Sequence, residues 1–111
     1  MHRGTLDLCV LAVLSDESLH AYGVVQRLAE HGFTDLSYGT VYPLVTRLRR
    51  LGMVEQHAAR GQGGPARNVL TLTPRGHAAL RRWSDQWRVH HQRVAALLDA
   101  TAELTEEHHA G

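Results

Sequence analysis

The sequence has one cysteine, three prolines, one phenylalanine and no lysine in 111 residues. The lone thiol, Cys9, excludes an internal disulfide, and its place inside an apolar run reads as a small core residue. The nine histidines include no His-x-x-x-His spacing, and no Cys-x-x-Cys accompanies them. His90-His91 and His108-His109 are adjacent pairs, which diverge by about 100° on a helix and chelate poorly. No metal and no cofactor is expected. G-x-S-x-G, the P-loop and the dinucleotide fingerprint are all missing, and Gly61-Gln-Gly-Gly64 lacks the strand-to-helix context of a phosphate cradle. The chain is therefore not expected to be an enzyme. Its one long apolar stretch, Leu6–Leu14, is nine residues interrupted by Asp7. That is too short for a bilayer, and no basic n-region or small-residue cleavage site marks it as a signal peptide. The expectation is a cytoplasmic protein with no membrane partner.

What is present is a chain 43% hydrophobic and 21% charged, the make-up of one ordinary globular domain. Its net charge of +1 conceals a strong polarity. Residues 37–82 carry Arg47, Arg49, Arg50, Arg60, Arg67, Arg75, Arg81 and Arg82 against Glu55 alone, a balance of +7. The segments before and after each carry −3. A positive middle between acidic ends is the mark of a polyanion-binding surface. Arginine without lysine suits bidentate contacts to phosphate and guanine; GC-rich codon usage produces the same bias.

Leu6, Leu8, Val10, Leu11, Val13 and Leu14 form a helix-length apolar segment closed by Asp16-Glu17-Ser18. A second helix is expected from Ala21 to Glu30 on the stripe Val24, Val25, Leu28 and Ala29, ended by His31-Gly32. Ser37 is the candidate N-cap of a third helix running to Leu51, with Val41, Leu44, Val45, Leu48 and Leu51 at helical spacing and Gly52 as its stop. Pro43 is expected in the first turn of that helix, where its missing N–H costs nothing. Met53–Ala58 and Asn68–Leu72 read as strands around the turn-rich segment Arg60–Arg67, a hairpin with a flexible basic tip. Thr73 and Pro74 then open a long fourth helix. Along it Leu80, Trp83, Trp87, His90, Val94, Leu97 and Thr101 alternate steps of three and four, a heptad seam. The tail past about Leu104 has no apolar pattern and reads as frayed.

Three helices, a basic hairpin and one long helix predict a mainly α fold with a small β-hairpin: a winged helix-turn-helix with an appended dimerisation helix. Residues 1–73 form the expected DNA-binding domain, 74–104 the dimerisation helix and 105–111 a flexible tail. A seam with two tryptophans needs a partner, and a second copy is the simplest one.

The sequence resembles the PadR family of bacterial transcriptional regulators, in its short-tailed subfamily. The similar segments are Gly4–Leu14, Leu19-His20-Ala21-Tyr22-Gly23, and Ser37-Tyr38-Gly39-Thr40-Val41-Tyr42-Pro43-Leu44 with Arg47-Leu48 and Leu51-Gly52-Met53-Val54. The fourth is Gly64-Pro65-Ala66-Arg67-Asn68-Val69-Leu70-Thr71-Leu72-Thr73. The third segment, near the family's S-x-G-T-L-Y-P signature, is the specific one. Ala21 stands where the family has glycine, and Ala66, Asn68, Val69 and Leu70 replace a more basic and aromatic wing stem. The resemblance implies a homodimeric repressor on a pseudo-palindromic, double-stranded operator, with Tyr38, Gly39, Tyr42 and Pro43 at the DNA. It places His20 and Tyr22 beside the recognition helix.

From the residues themselves, Ser37 and Thr40 offer hydroxyls and helix-terminal N–H groups to a phosphate, or Ser37 simply caps. Tyr42 is a groove contact or a half-buried packing residue. Arg47 lies off the apolar stripe and is the leading candidate for base or backbone contact, while Arg49 and Arg50 are equally a solvated face. Arg60 and Arg67 flank a tip that reaches phosphate or minor groove, or a surface loop with incidental charge. Leu80, Trp83, Trp87 and Val94 read as dimer seam. By the resemblance, Trp87 is also a place for a small planar aromatic ligand. The competing function is a winged-helix module that docks on another protein without DNA.

Overall fold

The structure, a computed structural model, describes the backbone of residues 4–60 and 66–110 and the side chains of residues 4–58 and 68–102. It comprises two compact units, residues 1–81 and 82–111, and the division between them falls inside the last helix. The elements are α1 (Thr5–Asp16), α2 (Ala21–Glu30), α3 (Tyr38–Arg50), β1 (Val54–Arg60), β2 (Ala66–Leu72) and α4 (Pro74–Ala110). This is the expected winged helix-turn-helix order.

The core of the first unit follows the apolar spacing. Val10, Leu11, Val13 and Leu14 of α1 are buried with Val24 and Leu28 of α2 and with Val41, Val45 and Leu48 of α3. Met53, Val54 of β1, Leu70 and Leu72 of β2 and Ala79 of α4 are buried with them. Cys9 is only half-buried, at the margin of this core.

Local chemistry fixes the helix ends. The His20 ring accepts the Gly23 N–H at 3.1 Å through Nδ1 and caps α2. Past its end, Gly32 takes a φ of 97°, a conformation open to glycine and strained for other residues. Gly52, with a φ of 77°, turns the chain from α3 into β1. The Thr73 hydroxyl donates to the Gly52 carbonyl at 2.7 Å and accepts the Gly76 N–H at 3.0 Å. One side chain thus caps α4 and ties its start to the end of α3.

β1 and β2 pair antiparallel, with Val54 opposite Leu72 and Ala58 opposite Asn68. Leu19, in the α1–α2 connection, adds a further rung. Its carbonyl accepts the Leu70 N–H at 2.8 Å, and its own N–H donates to the Leu70 carbonyl at 3.2 Å. The four residues between α1 and α2 carry no alternating pattern, so nothing in the sequence marked this bridge.

Three sequence expectations are corrected. Pro43 is the sixth residue of α3, beyond the first turn, because Ser37 caps the helix immediately before Tyr38. It therefore removes the donor that would bond the Gly39 carbonyl. The strands run two residues further toward the tip than read. Helix α4 continues to Ala110, through most of the segment read as a flexible tail. The apolar pattern stops near Leu104, but Glu and Ala are good helix formers and no glycine intervenes before Gly111. The tip itself, residues 61–65, lies outside the described residues.

In the second unit, Trp83 is 5% exposed in a single chain and has little ring surface left for a partner, against its reading as a seam residue. Trp87 is 38% exposed and Val94, Leu97 and Leu98 are exposed with it. Leu80, in the first unit, is half-buried. The exposed part of the heptad seam thus starts at Trp87.

Candidate nucleic-acid interface

Helix α3 buries Val41, Val45 and Leu48, so the opposite side faces outward. A helix turns once in 3.6 residues, which puts Gly39, Pro43, Thr46 and Arg50 in one line along that side. Tyr38, Tyr42 and Arg49 flank the line on one edge, and Thr40 and Arg47 on the other. The helix carries three arginines and no acid.

At its start, the Ser37 hydroxyl accepts the Thr40 N–H at 3.3 Å and lies 3.2 Å from the Thr40 hydroxyl. Both residues are exposed. Ser37 is therefore a cap, and one whose outer surface remains open.

The tyrosines form a ladder that spans two helices. The rings of Tyr22 in α2 and Tyr38 stack with centroids 4.6 Å apart, and Tyr38 stacks on Tyr42 at 5.2 Å. Tyr22 is 62% exposed and Tyr42 is 40% exposed. Three rings stacked in succession, with 21° and 19° between neighbouring planes, need little further ordering to present their hydroxyls to a partner. The spacing of Tyr38 and Tyr42, one turn apart, was the available signal; Tyr22 joins only through the tertiary fold.

Arg47 has a role that the sequence did not disclose. Its guanidinium pairs with the carboxylate of Asp7 in α1. Asp7 is 2% exposed, and a buried carboxylate is costly without a partner. Arg47 is thus the counter-ion that holds α3 against α1, with its side chain 48% exposed. Asp7 went unnoticed because a single acid in an apolar run reads only as an interruption.

Arg49 and Arg50 border a shallow groove against β1, with Thr46, Gln56 and His57 and with the acid Glu55. On α2, Arg27 is taken by Asp16 at 3.0 Å and Glu17 at 2.5 Å. The Asp16 hydrogen bond is the main cause that raises its pKa above the ordinary arginine value. His20 serves as the α2 cap. The structure therefore brings Ser37, Tyr38, Gly39, Thr40, Tyr42, Pro43 and Tyr22 to one region of the surface. Arg60 lies opposite Ala66 and Arg67 opposite Ala59 near the hairpin tip, with both arginine side chains outside the described residues.

The sequence model of the transcriptional regulator PadR-like family matches residues 10–82. The chain belongs to that family. A PadR-like transcriptional regulator of Bacillus cereus is 30% identical, with a TM-score of 0.79 over 86% of this chain and 92% of its own. A PadR family transcriptional regulator of Eggerthella lenta is 34% identical, with a TM-score of 0.69 over 80% of each chain. Bacillus subtilis PadR, solved in complex with operator DNA, shares the fold at 21% identity and a TM-score of 0.62, over 71% of this chain and 46% of its own. No curated protein matches the sequence.

The α3 surface carries two residues that disfavour a helix, both of them in the segment that resembles the family signature. Glycine in a helix costs roughly 0.5–1 kcal/mol relative to alanine, and an interior proline about 3 kcal/mol or more. Gly39 and Pro43 are both in α3, and both stand on its outward line. No helix among the described residues is long and apolar enough to cross a membrane.

Proposed function

We propose that this PadR-like protein is a sequence-specific DNA-binding repressor that acts as a homodimer. The observation that carries the reading is α3: a surface helix with three arginines, no acid, and an outward line on which Gly39, Pro43 and Arg50 are exposed. A helix fits the major groove of B-DNA, and phosphates supply most of the attraction for arginine-rich surfaces. The hairpin then lies on the neighbouring backbone, with Arg60 and Arg67 as its cations. Tyr22, Tyr42, Ser37 and Thr40 bond phosphate oxygens around the point of entry, and His20 assists by holding the start of α2. That a Bacillus subtilis relative was solved with operator DNA supports the same use here.

The homodimer reading rests on the exposed seam of Trp87, Val94, Leu97 and Leu98 in α4. Two-fold symmetry makes the operator a pseudo-palindrome with half-sites roughly 34 Å apart. In this reading residues 1–73 bind DNA and residues 74–104 carry the dimer contact. Trp87, stacked on His91 at 4.7 Å with 11° between the ring planes, offers a flat surface to a small planar aromatic ligand that relieves repression.

The test is duplex binding as a function of salt. The logarithm of the association constant should fall linearly with that of the salt concentration, by about 0.9 per phosphate neutralised. Arg60→Ala and Arg67→Ala should each reduce that slope by about 1. A duplex affinity indifferent to salt would leave a protein-docking module as the better reading.

A further inference from the structure

We propose that α3 meets the duplex along the ridge Gly39–Pro43–Thr46–Arg50, and that Arg50 is the side chain that reads a guanine. The inference rests on the DNA-binding reading above and specifies which face of the helix enters the groove.

Gly39 provides the first argument. Its φ is not positive, so the backbone there does not require glycine. A Cβ built on it would meet only the Ser37 hydroxyl, at 3.7 Å, an ordinary contact. Alanine therefore fits the fold, and the bare Cα clears space for something outside the chain. Pro43, four residues on, removes the donor to the Gly39 carbonyl. Two residues that weaken α3 stand in line on its exposed side and leave its first turns low.

Thr46 continues the line with a short side chain, and Arg50 ends it with the only long one. Arg50 is exposed and forms no ion pair among the described residues. The other cations of α3 point elsewhere: Arg47 is held by buried Asp7 on one flank, and Arg49 stands on the opposite flank. A low ridge ending in a free guanidinium is complementary to the major groove, where guanine presents O6 and N7 side by side and arginine binds both.

The experiment begins with a duplex selected by the wild-type protein from a random-sequence pool, together with a scrambled duplex of the same composition. Gly39→Ala should melt at the wild-type temperature or above it, and should lose at least tenfold in affinity for the selected duplex. Arg50→Ala should lose roughly tenfold to a hundredfold on the selected duplex, much less on the scrambled one, and should relax the preference at one guanine position. A Gly39→Ala variant that melts lower overturns the clearance argument, because the glycine then serves the fold. Unchanged binding by Gly39→Ala, or equal losses by Arg50→Ala on both duplexes, overturns the ridge or the guanine contact. If the wild-type protein selects no duplex, the parent reading fails and this one with it.

Discussion

A carboxylate that is 2% exposed in the first turn of a helix has two sources of relief, and Asp7 uses both. The N-terminal end of α1 favours negative charge, and Arg47 supplies a cation from 40 residues further along the chain. Removing the cation leaves the charge stranded. Arg47→Ala should therefore destabilise the protein by about 3 kcal/mol, read from urea unfolding. Asp7→Asn combined with Arg47→Met, which removes both charges, should restore most of that. A loss below about 1 kcal/mol for Arg47→Ala would reduce the pair to an ordinary surface ion pair. The sequence showed that Arg47 leaves the apolar stripe, and from that alone a nucleic-acid contact was the natural inference. Helical spacing says which way a side chain points and nothing about which distant residue waits there. Cys9 gives a second residue-scale expectation. Burial pushes its thiol above the ordinary value, so at pH 8 it stays protonated to a greater extent than a free cysteine. Alkylation by iodoacetamide should be slower than that of a free thiol, with its rise displaced to higher pH. A rate equal to the free thiol at every pH would contradict this.

At the scale of elements, three glycines are used in two different ways. Gly32 and Gly52 have positive φ, whereas Gly76 is held by proximity: a Cβ there would run into the Met53 carbonyl and the Leu72 side chain. Backbone cannot step aside as a flexible side chain does. Gly76→Ala should cost more than about 2 kcal/mol through overpacking, while Gly32→Ala, whose Cβ would meet nothing within 4 Å, should cost only the left-handed strain of about 1–2 kcal/mol. Thermal melts of the two variants separate the cases, and equal losses would contradict the distinction. Elements with local chemistry were legible from the sequence. The caps Ser37 and Thr73, the stop at Gly32 and the span Ala21–Glu30 agree with the structure because each depends on neighbours within four residues. Elements made by distant pairing were not. The Leu19–Leu70 rung has no local pattern. Pro43 is a different case, because the Ser37 cap alone already makes it the sixth residue of α3, past the first turn.

For the whole molecule, the order of elements and the positive middle segment were enough to give the fold class, since three amphipathic helices, a hairpin and a long helix have few other ways to bury their apolar faces. The heptad seam was legible too, but not the point at which it becomes available to a partner. The first unit supplies its own core, whereas α4 beyond Trp83 leaves Trp87, Val94, Leu97 and Leu98 open to water, with Leu97 70% exposed. Such a stripe is what a monomer avoids, and in the proposed homodimer a second copy would cover it. Leu97→Glu with Leu98→Glu tests this without weakening the helix, because glutamate is a good helix former. The variant should sediment as a monomer and keep the melting temperature of the first unit. Its affinity for a palindromic duplex should fall by about a hundredfold or more, because a dimer binds its second half-site as an intramolecular step and a monomer does not. A single half-site should be bound about equally by both proteins. A variant that still sediments as a dimer would place the contact somewhere other than this stripe, and a monomer that keeps full affinity for the palindrome would mean that pairing adds nothing to recognition.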